Sequence, residues 1–301
     1  MKTKNELCRG TYTAIVTPFT LEEDVDWKSL EGLIEFNIAN KITGIVPCGT
    51  TGESPTLDYE EHDEVIRYAV EVVAGRVPVI AGTGSNGTRE AIKCSRKAEE
   101  SGADALLLVN PYYNKPTQEG LFRHFGAIAN QVGIPIVLYN IKGRTGVNLE
   151  TDTLLRLIEN HKNIVAVKEA SGDLGQIRDV IKRTPEDFYV FSGDDNLTME
   201  VLRSGGDGVV SVASNAFPDE VSGVSRAWFR GDHSRAEELD SRLRVFYEKI
   251  FVETNPIPVK YILSEMGMCN EVYRLPMCEL FEGHKRVIKR FMAEDPLFEN
   301  R

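Results

Sequence analysis

The chain has 301 residues, of which 42% are hydrophobic and 27% are charged, and its formal net charge is −11. This composition is that of a globular protein, and an acidic chain without a basic block is a poor partner for nucleic acid or an anionic membrane. No stretch reaches the roughly 18 apolar residues of a membrane span, and the N-terminal segment lacks the apolar run of a signal peptide. The five scattered cysteines show no CxxC spacing, which favours reduced thiols and a cytoplasmic location.

Eight short apolar segments recur along the first two thirds of the chain. Their Val, Ile and Leu residues are continuous instead of alternating with polar residues, which is typical of strands buried on both faces of a parallel sheet. The predicted strands span residues 10–18, 44–49, 77–84, 103–110, 134–140, 163–170, 187–194 and 207–214.

Amphipathic segments fill the gaps between these strands. The segment 27–40 carries its Leu and Ile residues on one helical face, the helix over 89–101 is followed by Gly102 at a C′ position, and a helix begins near Thr151. Eight strand–helix units predict an α/β fold, a (β/α)₈ TIM barrel, over the alternative of a doubly wound open sheet. We expect a catalytic barrel in residues 1–217 and a C-terminal helical region packed on it in 218–301.

One predicted strand ends on a lysine, Lys168, which is followed by Glu169. The pleat places Ala166 on the side of Lys168, and Val165 and Val167 on the side of Glu169. A lysine leaving the core can simply extend to solvent. A lysine held in a pocket above a small residue would instead have a lowered pKa and could form a Schiff base with a ketone.

Other strand ends carry polar groups that could converge on Lys168, because active sites of such barrels lie at the C-terminal strand ends. In "CGTTGES", backbone N–H groups and the hydroxyls of Thr50 and Thr51 could bind a small carboxylate, although an ordinary loop is the alternative. Tyr139 could relay protons or be merely structural. Arg144 could hold a carboxylate in bidentate fashion or lie on the surface.

The histidines show no metal-ligand spacing, so a metal-dependent aldolase is not expected. A "GTGSNG" segment matches the glycine pattern of a dinucleotide site, but the next predicted strand ends on Asn110 where an acid would be required. We therefore predict no metal and no organic cofactor.

Six motifs together resemble the pyruvate-dependent class I aldolase and lyase superfamily over about residues 10 to 295. They are "CGTTGES", "NPYYNKPTQEGL", "YNIKGRTG", "VAVKEASGD", "SGDD" and "NPIPVK". The resemblance implies a lyase that condenses pyruvate with L-aspartate 4-semialdehyde, on the diaminopimelate route to lysine. It also implies a homotetramer built as a dimer of dimers.

The resemblance assigns roles to individual positions. Lys168 matches the Schiff-base lysine, and Thr50, Tyr113 and Tyr139 match a proton relay in which the partner subunit supplies Tyr113. The remaining substrate-binding positions are Thr51 for the pyruvate carboxylate, Arg144 for the semialdehyde carboxylate, and Gly193 and Val210 for backbone lining the pocket. Lys142 stands where the family usually has proline, and with Gly143 it should loosen the Arg144 loop. Glu169 receives no role.

The resemblance also implies a regulatory lysine site at a dimer interface. The matching residues are Ser54, Pro55, Tyr59, His62, Asn86, Glu90 and Tyr112. Glu90 would pair with the ammonium of lysine, and Asn86 and Tyr112 would hold its carboxylate. Because Tyr59 and Pro55 depart from the usual pattern, we expect partial or weakened inhibition by lysine.

Three other functions stay open at this point. A sister aldolase or lyase would act on a keto-deoxy sugar acid or a sialic acid, but Arg144 favours a short second substrate that carries its own carboxylate. A catalytically silent binding paralogue would have no need of Lys168, Tyr139 and Thr50 together. In a non-enzymatic barrel, Lys168 would only form a salt bridge.

Overall fold

The structure, a computed structural model, describes residues 7–299 and contains eight strands within that range. They are β1 (Gly10–Ala14), β2 (Gly44–Val46), β3 (Ile80–Gly82), β4 (Ala105–Val109), β5 (Ile136–Asn140), β6 (Ile164–Glu169), β7 (Tyr189–Ser192) and β8 (Gly208–Ser211). Each lies inside a predicted segment and is shorter than it. β2, for example, ends before Pro47, which has no N–H to donate to a neighbouring strand.

All neighbouring strands are parallel, in the order β2-β1-β8-β7-β6-β5-β4-β3. The two end strands then meet through a parallel bridge between Ile45 and Val79, and the Gly82 N–H donates to the Pro47 carbonyl at 3.0 Å. The sheet is therefore a nearly closed barrel, and the predicted (β/α)₈ fold is confirmed.

Helices occupy the gaps between strands and continue after β8. They are α1 (Trp27–Ala39), α2 (Tyr59–Val73), α3 (Thr88–Glu100), α4 (Gln118–Ala129), α5 (Lys142–Thr145), α6 (Thr151–Asn160), α7 (Leu174–Arg183), α8 (Thr198–Arg203), α9 (Pro218–Phe229), α10 (His233–Lys249), α11 (Ile257–Glu265) and α12 (Glu282–Glu294). As predicted, α3 is followed by Gly102 in the left-handed conformation, with φ of +90°. No helix within residues 7–299 has the length and apolar character needed to cross a membrane.

Two apolar clusters fill the molecule. The larger one lies between the strands and the surrounding helices, and a smaller one fills the barrel interior. Tyr12, Ala166, Phe191 and Val210 belong to the interior cluster, and the rings of Tyr12 and Phe191 meet edge to face at 5.3 Å. The barrel is thus packed below the strand ends at which a site can form.

The pairing of β5 with β6 contains an irregularity. Ile136 pairs with Ile164, but the next residue, Val137, pairs with Ala166, so β6 has one extra residue at this point. Val165 consequently packs against the interior cluster together with Ala166, and the expectation that Val165 shares a side with Val167 is wrong. The extra residue is a β-bulge, which a strict alternation of sides does not anticipate.

The C-terminal helices are joined to the barrel by buried polar contacts. The hydroxyls of Thr11 in β1 and Ser225 in α9 lie 2.7 Å apart. Lys260 in α11 is fully buried and forms an ion pair with Glu53, which follows β2, at 2.5 Å. The region after residue 218 therefore contributes directly to the strand-end face of the barrel.

Candidate active site

Lys168 and Tyr139 come together at the C-terminal ends of adjacent strands. They are register partners on β6 and β5, and both side chains are 5% exposed. The Lys168 Nζ lies 4.1 Å from the centroid of the Tyr139 ring, on its face. An amine and a phenol are thereby placed within reach of the same small molecule.

Burial lowers the pKa of the Lys168 ammonium to about 8, and the positive charge of Arg144 adds to this effect. The carboxylates of Asp194 and Asp195 act in the opposite direction and keep the pKa from falling further. A neutral amine is the nucleophilic form of lysine, so this environment makes Lys168 far more reactive near neutral pH than a surface lysine.

Because Gly193 has no side chain, the side chain of Lys168 can pack directly beside its backbone. A Cβ atom at position 193 would lie 2.5 Å from the Ala170 Cβ and 3.1 Å from the Lys168 Cε. The Gly193 N–H also donates to the Glu169 carbonyl at 2.7 Å, which ties the end of β7 to the end of β6. Any side chain at position 193 would therefore displace the lysine or its neighbour.

Burial also raises the pKa of the Tyr139 phenol, and the charge of Asp194 raises it further. The positive charge of Arg144 and, to a smaller extent, the side chain of Thr50 partly offset these effects on the pKa of Tyr139. Tyr139 is thus protonated at neutral pH and can act as a proton donor and relay in contact with Thr50.

Thr51 and Arg144 are linked through a residue of the C-terminal region, Asn255. The Asn255 amide donates to the Thr51 hydroxyl at 2.9 Å, and the Asn255 carbonyl accepts from the Arg144 guanidinium at 3.1 Å. The Thr50–Thr51 turn is itself closed by a hydrogen bond from the Gly52 N–H to the Gly49 carbonyl at 3.1 Å. Asn255 therefore positions both predicted carboxylate-binding groups.

Asn255 and Lys260 were assigned no role from the sequence, although both lie in the quoted "NPIPVK" motif. Lys260 donates to Glu53 and to the Val272 carbonyl at 2.7 Å, and its ammonium lies 4.3 Å from the centroid of the Phe19 ring. A charged residue inside an otherwise apolar helix segment was the signal available, because buried lysines need partners.

A cavity of about 590 Å³ opens beside this group of residues. Thr50, Tyr139 and Arg144 line one part of it. Other lining residues belong to the predicted regulatory site: Ser54, Pro55, Tyr59, His62, Glu90 and Tyr112. Lys168, Thr51, Gly193 and Val210 do not line this cavity. The cavity therefore joins Thr50, Tyr139 and Arg144 to the predicted regulatory residues, and the Lys168 amine lies against the Tyr139 ring.

Within the predicted regulatory site, Glu90 is already engaged by its own chain. The Tyr59 hydroxyl donates to Glu90 Oε1 at 2.7 Å, and the Ser85 hydroxyl donates to Oε2. The His62 Nε2 contacts the Gly82 carbonyl at 2.9 Å, and Asn86 donates to the Tyr112 carbonyl at 3.2 Å. Asn86 is close to the cavity through Tyr112 but does not line it.

Tyr113 and Val210 are the remaining predicted site residues. Tyr113 is 90% exposed, has a φ of +73°, and does not line the cavity. Val210 is buried in the barrel interior on β8, paired with Tyr12. Within residues 7–299, no group of three or more His, Cys, Asp or Glu side chains is arranged to hold a metal ion.

A parallel eight-stranded barrel with a buried, weakly basic lysine at a strand end has the architecture of a class I aldolase. The chain belongs to the dihydrodipicolinate synthetase family, whose model matches residues 7–294. It is 51% identical to a 4-hydroxy-tetrahydrodipicolinate synthase of Geobacter sulfurreducens over 286 residues, which cover 95% of this chain and 98% of the relative.

Solved structures agree with this assignment. The 4-hydroxy-tetrahydrodipicolinate synthase of Methylacidiphilum fumariolicum SolV superposes with a TM-score of 0.93 at 47% identity, over 95% of both chains. The dihydrodipicolinate synthase of Acinetobacter baumannii, solved in complex with pyruvate, gives a TM-score of 0.94 at 43% identity. That match covers 97% of this chain and 100% of the other.

Proposed function

We propose that this protein condenses pyruvate with L-aspartate 4-semialdehyde to form 4-hydroxy-tetrahydrodipicolinate, on the diaminopimelate route to lysine. The observation that carries the proposal is the buried amine of Lys168, with a pKa of about 8, against the Tyr139 ring. The names of the relatives and the pyruvate complex of the Acinetobacter baumannii enzyme support the choice of substrates.

In the first half-reaction, the neutral Lys168 amine attacks the ketone carbon of pyruvate. Tyr139, in contact with Thr50, supplies the proton with which the hydroxyl of the resulting carbinolamine leaves as water, giving the imine. The pyruvate carboxylate is held at the Thr50–Thr51 turn. The iminium withdraws electrons from the adjacent methyl group, which loses a proton to the Tyr139 oxygen left deprotonated by the previous step, giving an enamine.

In the second half-reaction, the enamine carbon forms a bond to the aldehyde carbon of the semialdehyde. The aldehyde oxygen takes up a proton through the relay and becomes the hydroxyl of the product. The substrate amine then attacks the imine carbon, the bond from that carbon to Lys168 Nζ breaks, and the ring closes. Lys168 is released as the free amine, so each cycle restores the catalyst.

Arg144 favours a second substrate that carries a carboxylate. Arg144 lines the cavity, and among residues 7–299 its guanidinium donates one hydrogen bond, to the Asn255 carbonyl, which leaves donors for a bidentate contact. A sialic acid or keto-deoxy sugar acid would present hydroxyl groups at this position instead. The synthase reaction therefore fits the site better than the reaction of a sister lyase.

We propose that Tyr113 completes the relay of a neighbouring subunit in a homotetramer built as a dimer of dimers. Its left-handed backbone and 90% exposure fit a side chain that reaches into another copy of the chain. Because Tyr112 beside it lines the cavity, that copy would lie over the cavity mouth. Sedimentation at assay concentration, with Tyr113→Phe tested for lost activity in an intact oligomer, checks this assignment.

We propose that lysine inhibits the enzyme only partially. The Tyr59 and Ser85 hydroxyls already satisfy Glu90, so an incoming ammonium group must compete with them. A dose–response curve that stays flat to millimolar lysine, or one that falls to complete inhibition at micromolar lysine, would contradict this.

We place the reaction in the cytoplasm. All five cysteines are free thiols, and two of them, Cys8 and Cys278, are exposed, which fits a reducing compartment.

The direct test supplies the purified protein with pyruvate and L-aspartate 4-semialdehyde and follows the cyclic product through a coupled reductase. We expect turnover with this pair and none with sialic acid. Arg144→Ala should raise the KM for the semialdehyde much more than that for pyruvate. Lys142→Ala, which removes a positive charge two residues away, is the matched control and should change neither. Turnover of a sugar acid without turnover of the semialdehyde would reject the proposal.

A further inference from the structure

Glu169 is buried immediately beyond the lysine, on the opposite side of β6. Its side chain is 1% exposed, and its carboxyl accepts hydrogen bonds from Asn140 at 2.7 Å, Gln176 at 3.0 Å and Ser171 at 3.4 Å. Burial raises its pKa to about 7, against the effect of these donors. A carboxyl group is costly to bury, so a position that retains one calls for an explanation.

The partner of this carboxyl connects it to the active site. Asn140 is the register partner of Glu169, just as Tyr139 is the register partner of Lys168. Successive residues of a strand point to opposite faces. The Asn140–Glu169 bond therefore lies on the outer face of the barrel, directly behind the contact between Tyr139 and Lys168 on the inner face.

Because of the bulge in β6, the Asn140–Glu169 bond can distinguish the observed strand register from one shifted by one residue. The extra residue before Ala166 is what brings Lys168 to the interior, and a shift of one residue would turn every later side chain of β6 to the other face. In such a slipped register, Glu169 would face the barrel interior and could not reach Asn140. Backbone hydrogen bonds alone do not distinguish the registers of a strand, whereas the Asn140–Glu169 bond requires the observed one.

The same network extends to the segment that follows Arg144. The Asn140 side-chain oxygen accepts from the Leu149 N–H at 2.9 Å and from Asn110, at the end of β4, at 2.8 Å. Gln176 bridges Glu169 to the Leu149 carbonyl at 3.2 Å. Three strand ends and the segment after Arg144 are thereby joined by one set of buried hydrogen bonds, in which the Asn110 side-chain oxygen has no partner within residues 7–299.

We infer that Glu169 and Asn140 are positioning residues of the active site, whose hydrogen bond holds β5 and β6 in the register that places Lys168 against Tyr139. The inference rests on the proposed Schiff-base role of Lys168. Neither residue contacts the substrate. They act by fixing where the amine stands and which charged groups surround it.

The test compares Glu169→Ala and Glu169→Gln in the full chain. Borohydride-trapped pyruvate adduct is measured against pH, alongside kcat and KM. Glu169→Ala should slow adduct formation about tenfold or more, because small displacements of a reacting group are costly. It should also raise the midpoint of the pH profile, since a displaced Lys168 is less buried and changes its distances to Asp194, Asp195 and Arg144. Glu169→Gln keeps an acceptor for Asn140 and should restore the rate to within about threefold and return the midpoint.

Val167→Ala is the matched control, because Val167 packs on the outer face of the same strand and its truncation loosens the core without removing the polar link. Its rate and midpoint should remain those of the wild type. A wild-type profile for Glu169→Ala, or an equal change in Val167→Ala, would overturn the inference. If Glu169→Ala does not fold, Gln176→Ala takes its place. We expect smaller changes in the same direction in its rate of adduct formation and in the midpoint of its pH profile. An unchanged pH profile for Gln176→Ala would then overturn the inference. Absence of adduct in the wild type would instead reject the proposed function.

Discussion

The pKa of Lys168 predicts how imine formation depends on pH. With a pKa of about 8, half of the amine is neutral at pH 8 and about 1% at pH 6, so the rate should fall about 50-fold between them. Between pH 8 and pH 10 the rate should rise only about twofold. An ordinary lysine, with a pKa of about 10.4, would give a rise of about 70-fold over that upper range.

The sign follows from which form reacts. The neutral amine is the nucleophile, so lowering the pH through the pKa of Lys168 removes it. Tyr139 stays protonated throughout because burial raises the pKa of its phenol, and it adds no step to the profile. The lowered pKa means that the site disfavours the ammonium form of Lys168 by about 3 kcal/mol relative to a lysine in water. Burial is the largest cause of this difference.

The assay mixes protein with subsaturating pyruvate at each pH, quenches into borohydride at fixed intervals, and quantifies the adduct by intact mass spectrometry. Asp194→Asn provides an internal check, because loss of a carboxylate that supports the ammonium should move the midpoint to lower pH. A rate that still rises about sevenfold between pH 9 and pH 10, as the pKa of an ordinary lysine requires, would refute the argument that burial activates Lys168.

Two substitutions test the packing around the site. Gly193→Ala places a methyl group 2.5 Å from the Ala170 Cβ and 3.1 Å from the Lys168 Cε. We therefore expect the free energy of unfolding in urea to fall by about 1–3 kcal/mol and adduct formation to slow. Unchanged values would contradict the steric argument. Lys260→Met leaves the buried Glu53 carboxyl without its cation and should cost about 3–5 kcal/mol, much of it recovered by adding Glu53→Gln. A loss below about 1 kcal/mol would mean that the pair contributes little.

The strands and the lysine could be predicted because their signals are local. Continuous apolar runs mark the eight strands, and in a parallel barrel the strand ends meet on one face. Lys168, Tyr139, Thr50 and Arg144 each follow or end such a run. Their proximity could therefore be predicted from the fold alone, and the structure places these four residues together at the C-terminal ends of the strands.

The contacts that hold these residues could not be predicted, because their partners lie far apart in the sequence. Asn255 is 204 positions from Thr51, and Lys260 is 207 positions from Glu53. No periodicity of a helix or strand relates such positions. Only the packing of α11 against the loop after β2 brings them together.

The bulge in β6 illustrates a second limit. A pattern of alternating sides placed Val165 with Val167, whereas the extra residue turns Val165 toward the interior cluster. The direction of Lys168 was nevertheless predicted correctly, because the bulge lies before Ala166 and the alternation is regular after it. Glu169 had no interpretation until the structure placed it opposite Asn140.

The most direct test is the identification of the residue that binds pyruvate. The protein is incubated with pyruvate, reduced with borohydride, digested, and mapped by tandem mass spectrometry, with Lys168→Arg treated in parallel. We expect one reduced pyruvate per chain, on Lys168 alone, and no adduct in Lys168→Arg. An unmodified Lys168, or an adduct that persists in Lys168→Arg, would contradict the Schiff-base mechanism.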